Sequence, residues 1–103
     1  MDRLESLHKM LESSPDDLFL HYALAMEYMS AGEDVLALEK LEKIKTESPS
    51  YLAVYYQLAK LYEKLEEPEK SIEVYEQGIE VAREQNETKT MGELRSALDE
   101  LIF

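Results

Sequence analysis

The chain has 103 residues, which suits one domain, and an apolar fraction of 45% is enough to form a core instead of a disordered chain. Its formal net charge of -12 argues against duplex nucleic acid and anionic membrane surfaces as partners and mildly favours basic ones. Because cysteine is absent, disulfides and thiolate chemistry are excluded.

Three helices are predicted in the first half of the chain. They cover about residues 2–12, 16–29 and 34–48, and Asp16 or a neighbour is expected to cap the second. Gly32 is suited to the left-handed conformation that ends a helix. The residues expected to face inward at helical spacing are Leu4, Leu7, Met10, Leu11, Leu38, Leu41 and Ile44.

Three more helices are predicted in the second half. The first covers about residues 51–65, and the next runs from Pro68, in the first turn, to about Gln85. Residues 86–90 are polar and break the pattern before the last helix. The residues expected on one face of that helix are Leu94, Ala97, Leu98, Leu101 and Ile102.

The sequence contains an internal repeat of 34 residues, the distance between Pro15 and Pro49. Shifting the chain by this period pairs Leu18 with Leu52, Tyr22 with Tyr56, Leu24 with Leu58, Ala25 with Ala59, and Tyr28 with Tyr62. These matches place a large residue, a small residue and a ring where closely packed helices need them.

With this period and pattern, the sequence resembles the tetratricopeptide repeat family. The positions that carry the resemblance are His21, Leu24, Ala25, Tyr28, Ala37, Leu41 and Pro49 in the first copy, and Tyr55, Leu58, Ala59, Tyr62, Ser71, Tyr75 and Gly78 in the second. His21 replaces the usual Trp, Leu41 replaces an aromatic, and Arg83 stands where a second closing Pro would fall. The missing Pro predicts that the fifth helix runs on.

The resemblance implies an all-α fold in which antiparallel helix-turn-helix repeats stack as a short right-handed α-solenoid, in a small bacterial-type protein with two full repeats. Residues 1–103 are expected to form a single domain. Its expected parts are an N-terminal half-repeat helix (1–14), repeat 1 (15–48), repeat 2 (49–85) and a C-terminal capping helix (86–103).

In this family the first helix of each repeat lines a concave groove that holds peptides or helices. The groove positions implied here are Phe19, Tyr22, Met26, Met29, Tyr51, Ala53, Tyr56, Lys60, Glu63 and Lys64. Aromatic side chains beside methionines give an adaptable contact surface. The alternative is that neighbouring helices, or a second copy of the chain, cover several of these residues. Tyr22 and Met26 replace the Lys and Asn with which some relatives grip C-terminal carboxylates, so that grip should be absent.

The expected function is therefore a non-catalytic adaptor or scaffold that binds a protein or peptide, and the negative charge mildly favours a basic one. The alternatives are a self-associating structural subunit, such as a homodimer, and a small chaperone-like protein. Whether the Leu101-Ile102-Phe103 tail packs back as a cap or stays exposed bears on this choice. No nucleophile elbow, phosphate loop or HExxH motif is present, so we expect neither an enzyme nor a cofactor.

Two groups of polar residues are interpreted as structural. His8 and His21 have no third ligand at a suitable spacing, so no metal site is expected. Four glutamates around Pro68 lack the alternating ligands of a calcium loop and are expected to form a solvated turn. They are Glu63, Glu66, Glu67 and Glu69.

The location predicted from the sequence is the cytoplasm. The N-terminal residues carry charges in every short apolar stretch, which is unlike a signal peptide. No run approaches the roughly 20 apolar residues of a membrane span.

The repeat register makes a direct stability prediction. Ala25→Leu or Ala59→Leu should overpack a close helix contact and lower the free energy of unfolding by about 1–3 kcal/mol. Thermal unfolding followed by circular dichroism measures this effect, and an unchanged melting temperature in both variants would contradict the register.

Overall fold

The computed structural model describes residues 2–103, so Met1, the first residue of the expected half-repeat helix (1–14), lies outside the described residues. Residues 2–103 form six α-helices and no strand, which confirms the all-α helical-repeat prediction. The helices are α1 (Arg3–Ser13), α2 (Leu18–Ser30), α3 (Asp34–Glu47), α4 (Ala53–Lys64), α5 (Pro68–Glu84) and α6 (Thr88–Ile102). The predicted break at residues 86–90 is too long, because Thr88 and the two residues after it already form the first turn of α6.

The helix ends follow from local chemistry. The Asp17 carboxylate caps α2 by accepting a hydrogen bond from the Leu20 N–H at 3.1 Å, as expected for Asp16 or a neighbour. Gly32, at φ +77°, takes the left-handed conformation after α2, and Glu66 takes it after α4 at φ 59°. These two positions are 34 residues apart, so the turn geometry repeats although the residue type does not.

The chain divides into two compact units between Glu47 and Ser48. In the first unit, α2 packs against both α1 and α3. Leu7, Ala23 and Leu24 form a buried cluster that Leu4, Leu11, Leu20 and Tyr28 surround. Ala25, Ala37, Leu41 and Ile44 are also buried. The inward assignment of Met10 is wrong, since 51% of this residue is exposed.

In the second unit, α5 packs against both α4 and α6. The buried residues of this unit are Val54, Tyr55, Leu58, Ala59, Leu61, Tyr62, Ser71, Val74, Tyr75, Gly78, Ile79, Ala82, Leu94 and Ala97. The Ser71 hydroxyl donates to the Ala59 carbonyl at 2.8 Å, so a polar residue is satisfied inside the α4–α5 contact.

Each of the two copies contains an equivalent hydrogen bond, which links the first helix of that copy to the turn before it. In the first copy, His21 Nε2 lies 2.7 Å from the Pro15 carbonyl oxygen. In the second, the Tyr55 hydroxyl donates to the Pro49 carbonyl. The fifth helix runs on as predicted, with 17 residues against 14 in α3.

Within residues 2–103, no helix is both long enough and apolar enough to cross a membrane.

Replacing each of the three glycines with alanine should change the free energy of unfolding, and the sign of the change depends on the position. At Gly32 and Gly92 an added Cβ would meet nothing within 4 Å, but only Gly32 has a positive φ. Gly32→Ala should therefore cost about 1 kcal/mol, whereas Gly92→Ala, inside α6, should gain about 0.5–1 kcal/mol. At Gly78 the Cβ would lie 2.7 Å from the Tyr55 Cβ, so Gly78→Ala should also destabilise the fold.

Urea unfolding of the three variants measures these changes. Equal shifts for Gly32→Ala and Gly92→Ala would contradict the assigned backbone conformations.

Candidate functional site

The second unit contains a cleft between α4 and α6, with a volume of about 630 Å³. We call it the α4–α6 cleft. Its lining residues are Tyr56, Lys60, Lys89, Gly92, Glu93, Ser96, Ala97 and Glu100. Because α5 packs against both helices, it holds the two walls of the cleft in place.

The Tyr56 ring contacts two neighbouring side chains. Its centroid lies 6.5 Å from that of Tyr75, with the ring planes at 73°, an edge-to-face arrangement. The Lys60 ammonium lies 5.7 Å from the Tyr56 centroid, within reach of a cation–π interaction. Tyr56 thus lines the cleft while contacting both Tyr75 and Lys60.

Glu63, on α4, contacts both Tyr75 of α5 and Lys60 of the α4 wall. The Tyr75 hydroxyl donates a hydrogen bond to Glu63 Oε2 at 2.5 Å, and Lys60 Nζ lies 3.6 Å from the same oxygen. Burial, reinforced by the hydrogen bond to Glu63, raises the pKa of Tyr75 far above its usual range. Tyr75 therefore stays a neutral donor, and Glu63 holds Lys60 beside Tyr56.

Gly92 leaves the opposite wall open. It lies inside α6, where glycine costs about 1 kcal/mol relative to alanine. Gly78 has a packing reason, because a Cβ there would collide with Tyr55, but a Cβ at Gly92 would touch nothing within 4 Å. The missing side chain at Gly92 therefore gives access to the α6 backbone from the cleft.

The structure places the ten groove positions as follows. Tyr56 and Lys60 line the α4–α6 cleft, and Glu63 contacts Lys60. Ala53 and Lys64 are exposed on α4, and Tyr51 is half-buried in the turn before it. In the first unit, the other four follow one another at helical spacing along α2. Phe19 is 67% exposed, and Tyr22, Met26 and Met29 are half-buried.

Sequence reasoning missed the α6 side of the cleft. The missed residues are Lys89, Gly92, Glu93, Ser96, Ala97 and Glu100. They were assigned to a capping helix, whose expected role was to cover the end of the repeat. The available signal was Gly92, a glycine in a helical stretch with no turn residue beside it.

The other candidate residues have ordinary surroundings. Among residues 2–103, no group of three or more histidine or acidic side chains could hold a metal ion. His8 Nε2 lies 3.5 Å from the Tyr28 hydroxyl, and Glu66, Glu67 and Glu69 are exposed at the turn around Pro68. In the tail, Leu101 is half-buried, whereas Ile102 and Phe103 are exposed.

Comparison with known proteins agrees with the repeat register. A sequence model of the tetratricopeptide repeat matches residues 52–85. The search of curated proteins found no match. The solution NMR structure of a tetratricopeptide repeat domain protein from Salinibacter ruber is 40% identical, with a TM-score of 0.82 over 84% of this chain and 88% of that one.

Two further solved structures match. A crystal structure of a tetratricopeptide repeat domain protein from Salinibacter ruber is also 40% identical, with a TM-score of 0.79 over 82% of this chain and 96% of that one. A solution structure of a protein from Bordetella parapertussis has a TM-score of 0.87 over 99% of this chain and 89% of that one. At 22% identity, the Bordetella match shows the fold alone.

Repeats of this kind generally mediate protein–protein interaction and are typically non-catalytic. Because it shares 40% identity with the Salinibacter ruber protein across most of both chains, this chain belongs to the tetratricopeptide repeat family.

Proposed function

We propose that this protein is a non-catalytic interaction module, an adaptor or scaffold, that binds a peptide or helical segment of a partner protein in the α4–α6 cleft. The observation that carries the proposal is the pairing of Tyr56 on one wall with the open backbone at Gly92 on the other. An aromatic anchor facing a gap is the arrangement that accepts a side chain together with its main chain.

The chemistry of the lining supports a peptide more than a small apolar ligand. The cleft carries two lysines, two glutamates and a serine around one aromatic ring. Such a surface offers hydrogen bonds and ion pairs along its length, and only Tyr56 provides a large apolar contact. An extended or helical segment with one apolar residue between polar ones fits this distribution.

The charge of the whole chain favours a segment with basic flanks. At a net charge of -12, the protein attracts a cationic peptide over a distance set by the ionic strength. Lys60 lies close to Glu63, while Glu93 and Glu100 line the α6 wall. The preference for basic flanks should therefore weaken in high salt.

The face of α2 that carries Phe19 is proposed as a second contact surface, within the first unit. Phe19 is exposed, and Met26 and Met29 lie farther along the same helix beside Tyr22. Methionine side chains adapt to different partners because they are flexible and polarisable.

Self-association, a chaperone-like role and a cytoplasmic location stay predictions.

The binding prediction is tested with random peptides displayed on phage and selected on the full chain. A selected peptide should shift the backbone NMR signals of Tyr56, Gly92 and Ser96. Gly92→Leu should weaken its binding at least about tenfold, equivalent to about 1.4 kcal/mol, because the new side chain fills the open wall. Tyr56→Ala should weaken it similarly, and Tyr22→Ala tests the α2 face separately.

Arg95→Ala is the matched control. Arg95 lies on α6 but lines a different cavity, formed with Glu76, Ile79, Glu80, Leu98 and Asp99 of the same unit. The affinity of the Arg95→Ala variant for the peptide should equal that of the unmodified chain. If Gly92→Leu and Tyr56→Ala bind as the unmodified chain does, with native circular dichroism, the α4–α6 cleft is not the site.

A further inference from the structure

Lys40 has unusual surroundings for a lysine in an acidic protein. Its Nζ atom, on α3, lies 3.1 Å from Nδ1 of His21 on α2. Five other cations pair with carboxylates, including Arg3 with Glu27 and Lys43 with Glu47. Within residues 2–103, Lys40 has no carboxylate within salt-bridge distance, so its contact is with an imidazole.

The second nitrogen of His21 fixes the form of that imidazole. Nε2 lies 2.7 Å from the Pro15 carbonyl oxygen, which can only accept a hydrogen bond. Nε2 therefore carries the proton in the neutral ring, and Nδ1 presents its lone pair to Lys40. The amine thus lies directly against a proton acceptor.

The fold itself does not require a lysine at this position. The residue 34 positions later is Val74, which is buried, and the residue equivalent to His21 is Tyr55. Tyr55 also bonds to the proline carbonyl of its copy and needs no second partner. One reading of Lys40 is therefore that it satisfies Nδ1, but the same contact also suits an amine that must lose a proton.

We propose that Lys40 is a modification site, at which its amine is acylated by a small activated acyl donor such as an acyl phosphate. The Nζ lone pair attacks the carbonyl carbon and forms the C–N bond, while the bond from that carbon to the phosphate oxygen breaks. Phosphate leaves with the electron pair, and the amine proton passes to His21 Nδ1. His21 can hold this proton because Nε2 still donates to Pro15.

The electrostatics favour this reaction. Burial, and secondly the positive charge of Lys43, lower the pKa of Lys40, which Glu47 opposes only in part. A lowered pKa increases the fraction of neutral amine near neutral pH, which is the nucleophilic form. Lys40 remains half-buried, so a small donor can still reach it.

The experiment treats the full chain with acetyl phosphate and follows each lysine by peptide mass spectrometry over time. Lys40 should acetylate several-fold faster than Lys43, which is exposed on the same helix and paired with Glu47. The rate at Lys40 should also rise at a lower pH than the rate at Lys43. A Lys40 rate equal to or below that of Lys43 would overturn the proposal.

His21→Tyr separates the base from the packing. By analogy with Tyr55, this variant can keep the bond to the Pro15 carbonyl while removing the proton acceptor. The Lys40 rate should fall several-fold in His21→Tyr, while the Lys43 rate and the circular dichroism stay unchanged. An unchanged Lys40 rate would show that His21 does not assist the amine, and would contradict the mechanism.

Discussion

Close approach between α4 and α5 is the constraint on which the second unit depends. The Ser71 hydroxyl reaches the Ala59 main chain directly, and at Gly78 even one methyl group would collide with Tyr55. That methyl group would also lie 3.1 Å from Leu94 on α6. Small residues on α5 therefore let α4 and α6 pack closely against it on two sides. The α4–α6 cleft is the space left between two helices held in this way.

The helices and their register could be predicted from the sequence because they rest on local chemistry and on periodicity. Pro68 begins α5, Gly32 has the left-handed conformation, and Ala25 and Ala59 are fully buried. The α6 wall could not be predicted, since whether a helix covers a surface or borders a cleft depends on packing distances. Met10 shows the same limit: its spacing is helical, yet 51% of it is exposed.

The two copies satisfy one position with different residues. His21 and Tyr55 both bond to a proline carbonyl, but an imidazole has two polar nitrogens, whereas a phenol has one hydroxyl. The first copy accordingly has Lys40 where the second has the apolar Val74. At two positions of the repeat, the first copy has His21 and Ile44, and the second copy has Tyr55 and Gly78. The copy with the larger ring thus has glycine at the other position, and the copy with the smaller ring has isoleucine there. A change in ring size and polarity is thus accompanied by changes at other positions of the same copy.

Small or polar residues inside the helices consequently fall into two kinds. Gly78 and Ser71 are explained by contacts inside the fold, because each permits or completes a close helix contact. Gly92 is not explained in this way, since it weakens α6 and makes room for nothing within the chain. Lys40 is explained only in part, because a satisfied imidazole does not require a half-buried amine of lowered pKa. Residues that lower the stability of the fold without completing a contact inside it are the best candidates for functional residues. Such residues are retained when a requirement other than stability maintains them.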